Sequence, residues 1–263
     1  MIKLGDIGSE VSRWQEELVQ TSHVVAVDGV FGEDTHHATL ALQAAAGLRA
    51  TGQVGQAEWE AARVGLKVWP TREAPVFPET IPYVECRCWD RDVHRTAVDL
   101  IVPHCMEAPE TTSTAENCAH YLATLPPTET PRSCHYFVDC DSIVQGVPDD
   151  GVAWHAPGAN RNGIGIEHAG FVRQSKADWL DEFGSRMLSL SAELAARLCV
   201  KWHIPPVFVS AGELLAKRRG ITTHMQVTQA FHRSSHTDPG GNFPLSWYLA
   251  RVDAALRYKE SNA

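Results

Sequence analysis

His224 and Asp238 stand at the two ends of one short excursion, from Ile221-Thr222-Thr223-His224-Met225-Gln226 to His236-Thr237-Asp238-Pro239-Gly240-Gly241-Asn242-Phe243-Pro244. Imidazole and carboxylate are metal-ligand groups, and a catalytic zinc site takes three such ligands and leaves its fourth position to water or substrate. The same residues also suit a histidine flanking a helix and an aspartate in an ordinary Asp-Pro-Gly turn, so the pair needs a third ligand from elsewhere. Leu100-Ile101-Val102-Pro103-His104 reads as a buried strand that delivers a histidine at its C-terminal edge, where a side chain reaches a cleft.

The elements around these residues alternate. Thr112 to Leu122 has helical character; His135-Tyr136-Phe137-Val138-Asp139 and Ile143-Val144-Gln145-Gly146-Val147 form a hairpin pattern around Asp141-Ser142; Gly163-Ile164-Gly165-Ile166-Glu167 is another strand. Leu180, Phe183, Met187, Leu190, Leu194 and Leu198 recur at spacings of three and four, which predicts one long helix over 177–203, stopped by Pro205-Pro206. A terminal helix over 244–256 would bury Trp247, Leu249, Val252 and Leu256. Such alternation predicts an α/β domain, a mixed central sheet flanked by helices, over residues 83–258.

Residues 1–67 form a separate unit. Val11, Trp14 and Leu18 follow Ser9, a candidate N-cap; Asp28-Gly29-Val30-Phe31-Gly32 turns the chain into a second helical pattern, Ala38, Ala41, Leu42 and Ala45; Gly47, Gly52 and Gly55 lead to a third, with Trp59 and Ala62 inward. Three short helices joined by glycine turns make a small all-α bundle. Between the two units Pro70, Pro75, Pro78 and Pro82 mark residues 68–82 as a semi-stiff linker.

Composition excludes several classes. At 263 residues, with 44% hydrophobic and 21% charged residues, the chain is an ordinary globular protein with room for a real core. A formal charge of -9 disfavours nucleic acid or an anionic membrane as partner. Seven cysteines without a Cys-x-x-Cys pair argue against both a disulfide framework and a four-thiolate zinc site, and are expected to be reduced, part-buried small hydrophobes. The N-terminus shows no signal peptide and no stretch is apolar enough to span a membrane, so the chain is expected in the cytoplasm until released.

Gly8-Ser9-Glu10-Val11, Trp14-Gln15, Asp28-Gly29-Val30-Phe31-Gly32, Thr35, Gln43, Gly47-Leu48 and Thr51-Gly52-Gln53-Val54-Gly55 resemble the three-helix peptidoglycan-binding domain attached to many cell-wall hydrolases. With five Lys plus Arg against nine Asp plus Glu in residues 1–67, a glycan would be held by a shallow polar and aromatic surface. Farther on, seven pieces occur in order: Ile101-Val102-Pro103-His104-Cys105, Ser133-Cys134-His135-Tyr136, Ala153-Trp154-His155-Ala156, Gly158-Ala159-Asn160, Ile164-Gly165-Ile166-Glu167, Gly220-Ile221-Thr222-Thr223-His224 and Thr237-Asp238-Pro239-Gly240. Together they resemble the zinc-dependent type 2 N-acetylmuramoyl-L-alanine amidases, which share a fold with peptidoglycan recognition proteins.

That resemblance implies one zinc per chain, held by His104, His224 and Asp238; iron(II) or manganese suits the same donors. It places the acid/base carboxylate on Glu167, which strand alternation puts on the face opposite Ile164 and Ile166. His236 falls where many members carry a lysine that stabilises the developing oxyanion. His135, Trp154, His155 and Asn160 fall where the family lines its substrate groove, and His232 is the alternative ligand. The remaining histidines (23, 36, 37, 94, 120, 168, 203) are expected to be surface or packing residues. The whole looks like a phage endolysin, a monomer with peptidoglycan as partner. The rivals are a peptidoglycan receptor without catalysis and a bacterial autolysin or recycling amidase.

Overall fold

A computed structural model describes residues 1–21, 25–45, 48–49, 51–65 and 77–260, and the chain divides into two compact units, Met1–Glu73 and Ala74–Ala263. Gly47, Pro70 and Pro75 lie outside the described residues, as does most of the expected linker.

The first unit holds α1 (Ser9–Gln20), α2 (Glu33–Ala45) and α3 (Gln56–Gly65). Val11, Trp14 and Leu18 all face its core, with Phe31, Leu42, Val54 and Ala62. Trp14 donates its indole N–H to Thr39 Oγ1 (2.9 Å) and meets Trp59 edge-on, so both rings are fixed. Gly8, rather than Ser9, occupies the cap position of α1, with no side-chain capping bond. The two glycine turns are built alike. Gln15 Oε1 accepts from the N–H groups of Asp28 and Gly29, and its amide donates to Asp28, Val30 and Thr35. Gln43 does the same for Thr51 and Gly52, donating to Thr51, Gln53 and Glu58. Gly29 and Gly52 sit at φ 74° and 66°, left-handed values that glycine adopts at no steric cost.

The second unit carries β1 (Trp89–Asp90), β2 (Leu100–Cys105), α4 (Thr114–Ala123), β3 (Tyr136–Val138), β4 (Ile143–Gln145), β5 (Val152–Ala153), β6 (Gly163–His168), α5 (Lys176–Trp179), α6 (Glu182–Trp202), α7 (Ala211–Leu215), β7 (Gly220–Ile221), α8 (His224–Phe231) and α9 (Leu245–Glu260). Five strands form a mixed sheet in the order β4-β3-β6-β2-β7; β4 pairs antiparallel with β3 and the other pairs are parallel. The central strands β2 and β6 are apolar on both faces for most of their length, as a covered parallel sheet requires.

Alternation along the strands decides which helix sees which residue. Phe137, the partner of Glu167 across β3 and β6, packs in one cluster with Ala115, Ala119 and Leu122 of α4. Leu100 and Val102, in step with His104, pack against Leu214 of α7 and Val227 and Ala230 of α8. Thus α4, α7 and α8 cover the face that His104 and Glu167 share. On the other face His168 meets Ser191 of α6, and α6 packs along α9.

The predicted single helix over 177–203 is two helices. Asp181 breaks it by accepting the Gly184 N–H as the N-cap of α6. The predicted inward stripe survives in Met187, Leu190, Leu194 and Leu198, all buried, whereas Leu180 falls at the break and is half-buried. In α9 Trp247 and Val252 are buried as expected, together with Tyr248, while Leu249 and Leu256 are half-buried. All seven cysteines are free thiols, five of them buried.

Candidate active site

Three elements end at one point. His104 is the penultimate residue of β2. His224 opens α8, whose N-cap Thr223 accepts the Gln226 N–H and so sets the direction in which the helix leaves β7. Asp238 lies in the loop before α9, where its carbonyl accepts the Met225 N–H at 3.0 Å. His104, His224 and Asp238 are all buried, and each offers one ligand atom within 4.8 Å of the others. His104 Nδ1 is 2.7 Å from Asp238 Oδ2 and His224 Nδ1 is 3.1 Å from Asp238 Oδ1. His232, the alternative ligand, ends α8 exposed and in left-handed conformation, outside this group.

The electrostatics fit a cation between these groups. Burial works to raise the Asp238 carboxyl, but the charge and hydrogen bonds of His104, then of His224, outweigh it and hold it well below the usual carboxylate range. Burial pushes His104 down, with Asp238 opposing. A neutral imidazole beside an ionised carboxylate is the protonation state a metal ligand needs. Two nitrogens and an oxygen, with neither a thiolate nor a fourth protein ligand in the group among the described residues, make an open zinc-type set.

Glu167 is the Cα partner of His104 in the parallel register of β2 and β6. Its Oε2 is shielded from solvent and has no hydrogen-bond partner among the described residues. Burial first, and then the Asp238 charge, push this carboxyl up to about 8, while Arg132 pulls it the other way. An unpartnered carboxylate oxygen beside a cation site is held ready for a proton, at a cost in stability that a structural residue would not carry.

His236 reaches the same point from solvent. Its ring, 67% exposed, stacks on that of ligand candidate His224 (4.7 Å between centroids, 7° between planes), and its Nδ1 is 3.5 Å from Asp238 Oδ1. Trp154 is exposed, with its indole N–H held by Asp90 Oδ1 at 2.9 Å and its backbone paired with Ser133. An exposed aromatic face fixed in this way suits a groove wall.

The other expected groove residues are placed differently. His135 is wholly buried, its Nδ1 accepting from Gly165 N–H (3.1 Å) and its Nε2 2.9 Å from Arg95 Nη2, so no part of it faces a substrate. His155 is buried against His104. Asn160 uses its side-chain oxygen on the N–H groups of His155 and Ala156, which shapes the loop rather than leaving that oxygen for a ligand.

Two further buried groups support the site: Arg95, which the sequence did not single out, and His168, expected to be a surface or packing residue. Among the described residues Arg95 has no carboxylate ion pair; its guanidinium donates to the carbonyls of Gly163 (2.7 Å) and Asp149 (2.6 Å) and lies against the His135 ring, and burial lowers it to about 10. His168, on the sheet face away from the site, donates from Nδ1 to the carbonyl of His104 (2.8 Å) and accepts at Nε2 from Ser191 Oγ (2.6 Å), which in turn meets the Tyr248 hydroxyl at 2.8 Å. The strand that delivers His104 is thereby tied to α6 and α9. His168→Leu removes the donor to the buried His104 carbonyl, while Ser191 Oγ keeps the Tyr248 hydroxyl, and is expected to destabilise the protein by about 1–3 kcal/mol in denaturant unfolding, the scale for one buried group left short of a partner. A loss below about 0.5 kcal/mol, the level of a neutral surface change, would dismiss the tie.

Residues 94–241, more than half of the chain, match the family model described as N-acetylmuramoyl-L-alanine amidase, and residues 7–62 match a peptidoglycan binding domain model. Among solved structures, the hydrolase AmiA of Staphylococcus aureus, determined in complex with its ligand, is 17% identical and superposes with a TM-score of 0.54 over 70% of this chain and 86% of that one. The N-acetylmuramoyl-L-alanine amidase LysC from Clostridium intestinale is 18% identical, covering 67% of this chain and 99% of that one at a TM-score of 0.43. A mutant endolysin from Bacillus subtilis is 20% identical, covering 58% and 88% at 0.41. No curated protein sequence matches the chain.

Proposed function

The chain belongs to the N-acetylmuramoyl-L-alanine amidase family, and from that premise we propose that it is a zinc-dependent enzyme that hydrolyses the amide between the lactyl group of N-acetylmuramic acid and L-alanine of the peptidoglycan stem. The observation that carries the reading is the placement of the shielded, unpartnered Glu167 carboxylate oxygen in register with His104, beside the convergence of His104, His224 and Asp238.

His104, His224 and Asp238 would hold the ion. When bound there, zinc supplies a Lewis acid that polarises the scissile carbonyl and activates the attacking water. Glu167 takes a proton from that water and delivers it to the leaving nitrogen, so the products are a lactyl carboxylate and a stem peptide with a free amino terminus. His236, exposed and stacked on His224, donates a hydrogen bond to the oxygen on which negative charge develops. Trp154 forms part of the groove wall. His236→Ala should lower turnover by about 10² to 10³, the scale for loss of an oxyanion donor, with metal content unchanged. Loss of the metal in that variant would make His236 a ligand.

Mass spectrometry of digested cell walls tests the bond assignment. The expected products are stem peptides beginning with free L-alanine and intact glycan strands; any other cleavage site would overturn the assignment. A receptor without catalysis leaves the walls unchanged. For the first unit, tethering raises the effective concentration of an enzyme on an insoluble polymer, so residues 68–82 would serve as a spacer between a wall-binding and a catalytic domain. Removal of residues 1–67 should slow digestion of intact walls far more than that of soluble muropeptides. We further infer an endolysin, a monomer made in the host cytoplasm that reaches the wall after release. Expression inside a susceptible cell should cause lysis only once the membrane is permeabilised.

A further inference from the structure

On β6, Gly163 and Gly165 leave the site face free of side chains, and the His155 ring lies in that space. A Cβ on Gly165 would stand 2.8 Å from His155 Cγ and Nδ1. Asn160 holds the backbone of His155 and Ala156 from one side, and Arg95 anchors the Gly163 carbonyl and His135 from the other. The ring is 8% exposed and lies edge-on to His104, 5.1 Å between centroids.

The hydrogen bonds through this ring have a direction. His155 Nε2 lies 3.4 Å from the Gly163 carbonyl, and His155 Nδ1 lies 2.9 Å from His104 Nε2. A carbonyl only accepts, and a neutral imidazole has one N–H and one lone pair. The His155 proton therefore belongs on Nε2, its Nδ1 accepts, and His104 donates from Nε2. In the neutral ring His104 Nδ1 is then a lone pair facing Asp238 Oδ2 at 2.7 Å, so either a second proton, which makes His104 an imidazolium, or a metal ion must lie between the two acceptors. The reverse direction puts a proton on His104 Nδ1 and closes the site to metal.

We propose that His155 is a positioning residue, which holds His104 in the tautomer that presents Nδ1 to the ion and does not itself touch substrate. Ligating histidines generally donate their second N–H to an outer partner that fixes ring and tautomer, and loss of that partner lowers metal affinity about 10- to 100-fold. In this chain the partner is a second imidazole, whose own proton is anchored on a strand carbonyl and whose space depends on Gly165. The proposal rests on the metal reading of the site above.

Zinc affinity, measured by competition with a chromophoric chelator, separates the alternatives. His155→Phe keeps a ring in the space but cannot accept from His104. It should lose about 10- to 100-fold in affinity while KM of the zinc-saturated enzyme stays at the wild-type value, and His155→Gln, whose side-chain oxygen accepts, should recover part of the loss. Wild-type affinity in His155→Phe together with a raised KM would overturn the proposal and make His155 a substrate contact. Should the variants fail to fold, nitrogen-15 spectra of the zinc-loaded wild type decide: protons on Nε2 of both His104 and His155 are expected, and a proton on His155 Nδ1 overturns the assignment. A wild-type chain that takes up no zinc would sink the metal reading itself, an outcome distinct from either.

Discussion

Exhaustive removal of metal is expected to abolish amide hydrolysis, and zinc to restore it, without unfolding the protein. Activity should vanish because no side chain at the convergence replaces the polarising cation; Glu167 moves protons but is no electrophile. The fold should persist because the ligands have other work. His104 ends a central strand, His224 opens a capped helix, and both imidazoles reach the Asp238 carboxylate directly. This differs from a small structural zinc domain, which is unfolded without its ion. Added zinc should raise the melting temperature in a concentration-dependent way, since a ligand bound only by the native state stabilises by mass action. Asp238→Asn removes the negative charge and is expected to lose zinc and activity together, with the circular dichroism of the fold retained. Full activity in a preparation whose metal analysis shows none bound would end the metal mechanism.

The convergence of His104, His224 and Asp238 was expected from the family resemblance, and each member sits at a punctuated place: His104 after an apolar run, His224 after Thr222-Thr223, Asp238 before Pro239-Gly240. The side of the sheet on which Glu167 lies was legible too, since a period of two assigns faces once Ile164 and Ile166 are taken as core. Depth was not. His135, His155 and Trp154 all read as groove residues by position, yet only the tryptophan is exposed, because a strand pattern says which face a residue occupies and not what packs over it. The glycines of Gly163-Ile164-Gly165-Ile166-Glu167 held that information: two positions without Cβ on the site face make room for a layer of imidazoles. Arg95 gave no signal at all, because its partners are carbonyls of residues 149 and 163, far off in sequence. The break between α5 and α6 was missed for another reason. A capping aspartate inside a continuous hydrophobic stripe looks like one more polar position until its N–H acceptor role is seen.

Glu167→Gln is expected to keep the metal and the fold and to lose about 10² to 10⁴ of turnover, the range for a positioned acid/base group. Glutamine fills the same space in β6 but takes no proton. The pH dependence gives the assignment a second, independent readout. In the metal-free protein this carboxyl is pushed from the ordinary 4.5 to about 8, by burial and then by Asp238. Between those two values the native state binds a proton that the unfolded chain has released, so native stability falls as pH rises from about 4.5 to about 8. The metal-free glutamine variant lacks that loss, so it should melt above the metal-free wild type at pH 8, with the gap closing as pH falls toward 4.5. A bound cation nearby favours the ionised form and shifts the titration downward. The acid limb of the rate profile in the zinc enzyme should therefore lie below 8, and the residual activity of Glu167→Gln should lack it. Near-normal turnover in that variant, or an acid limb that survives the substitution unchanged, would move the proton transfer to another residue.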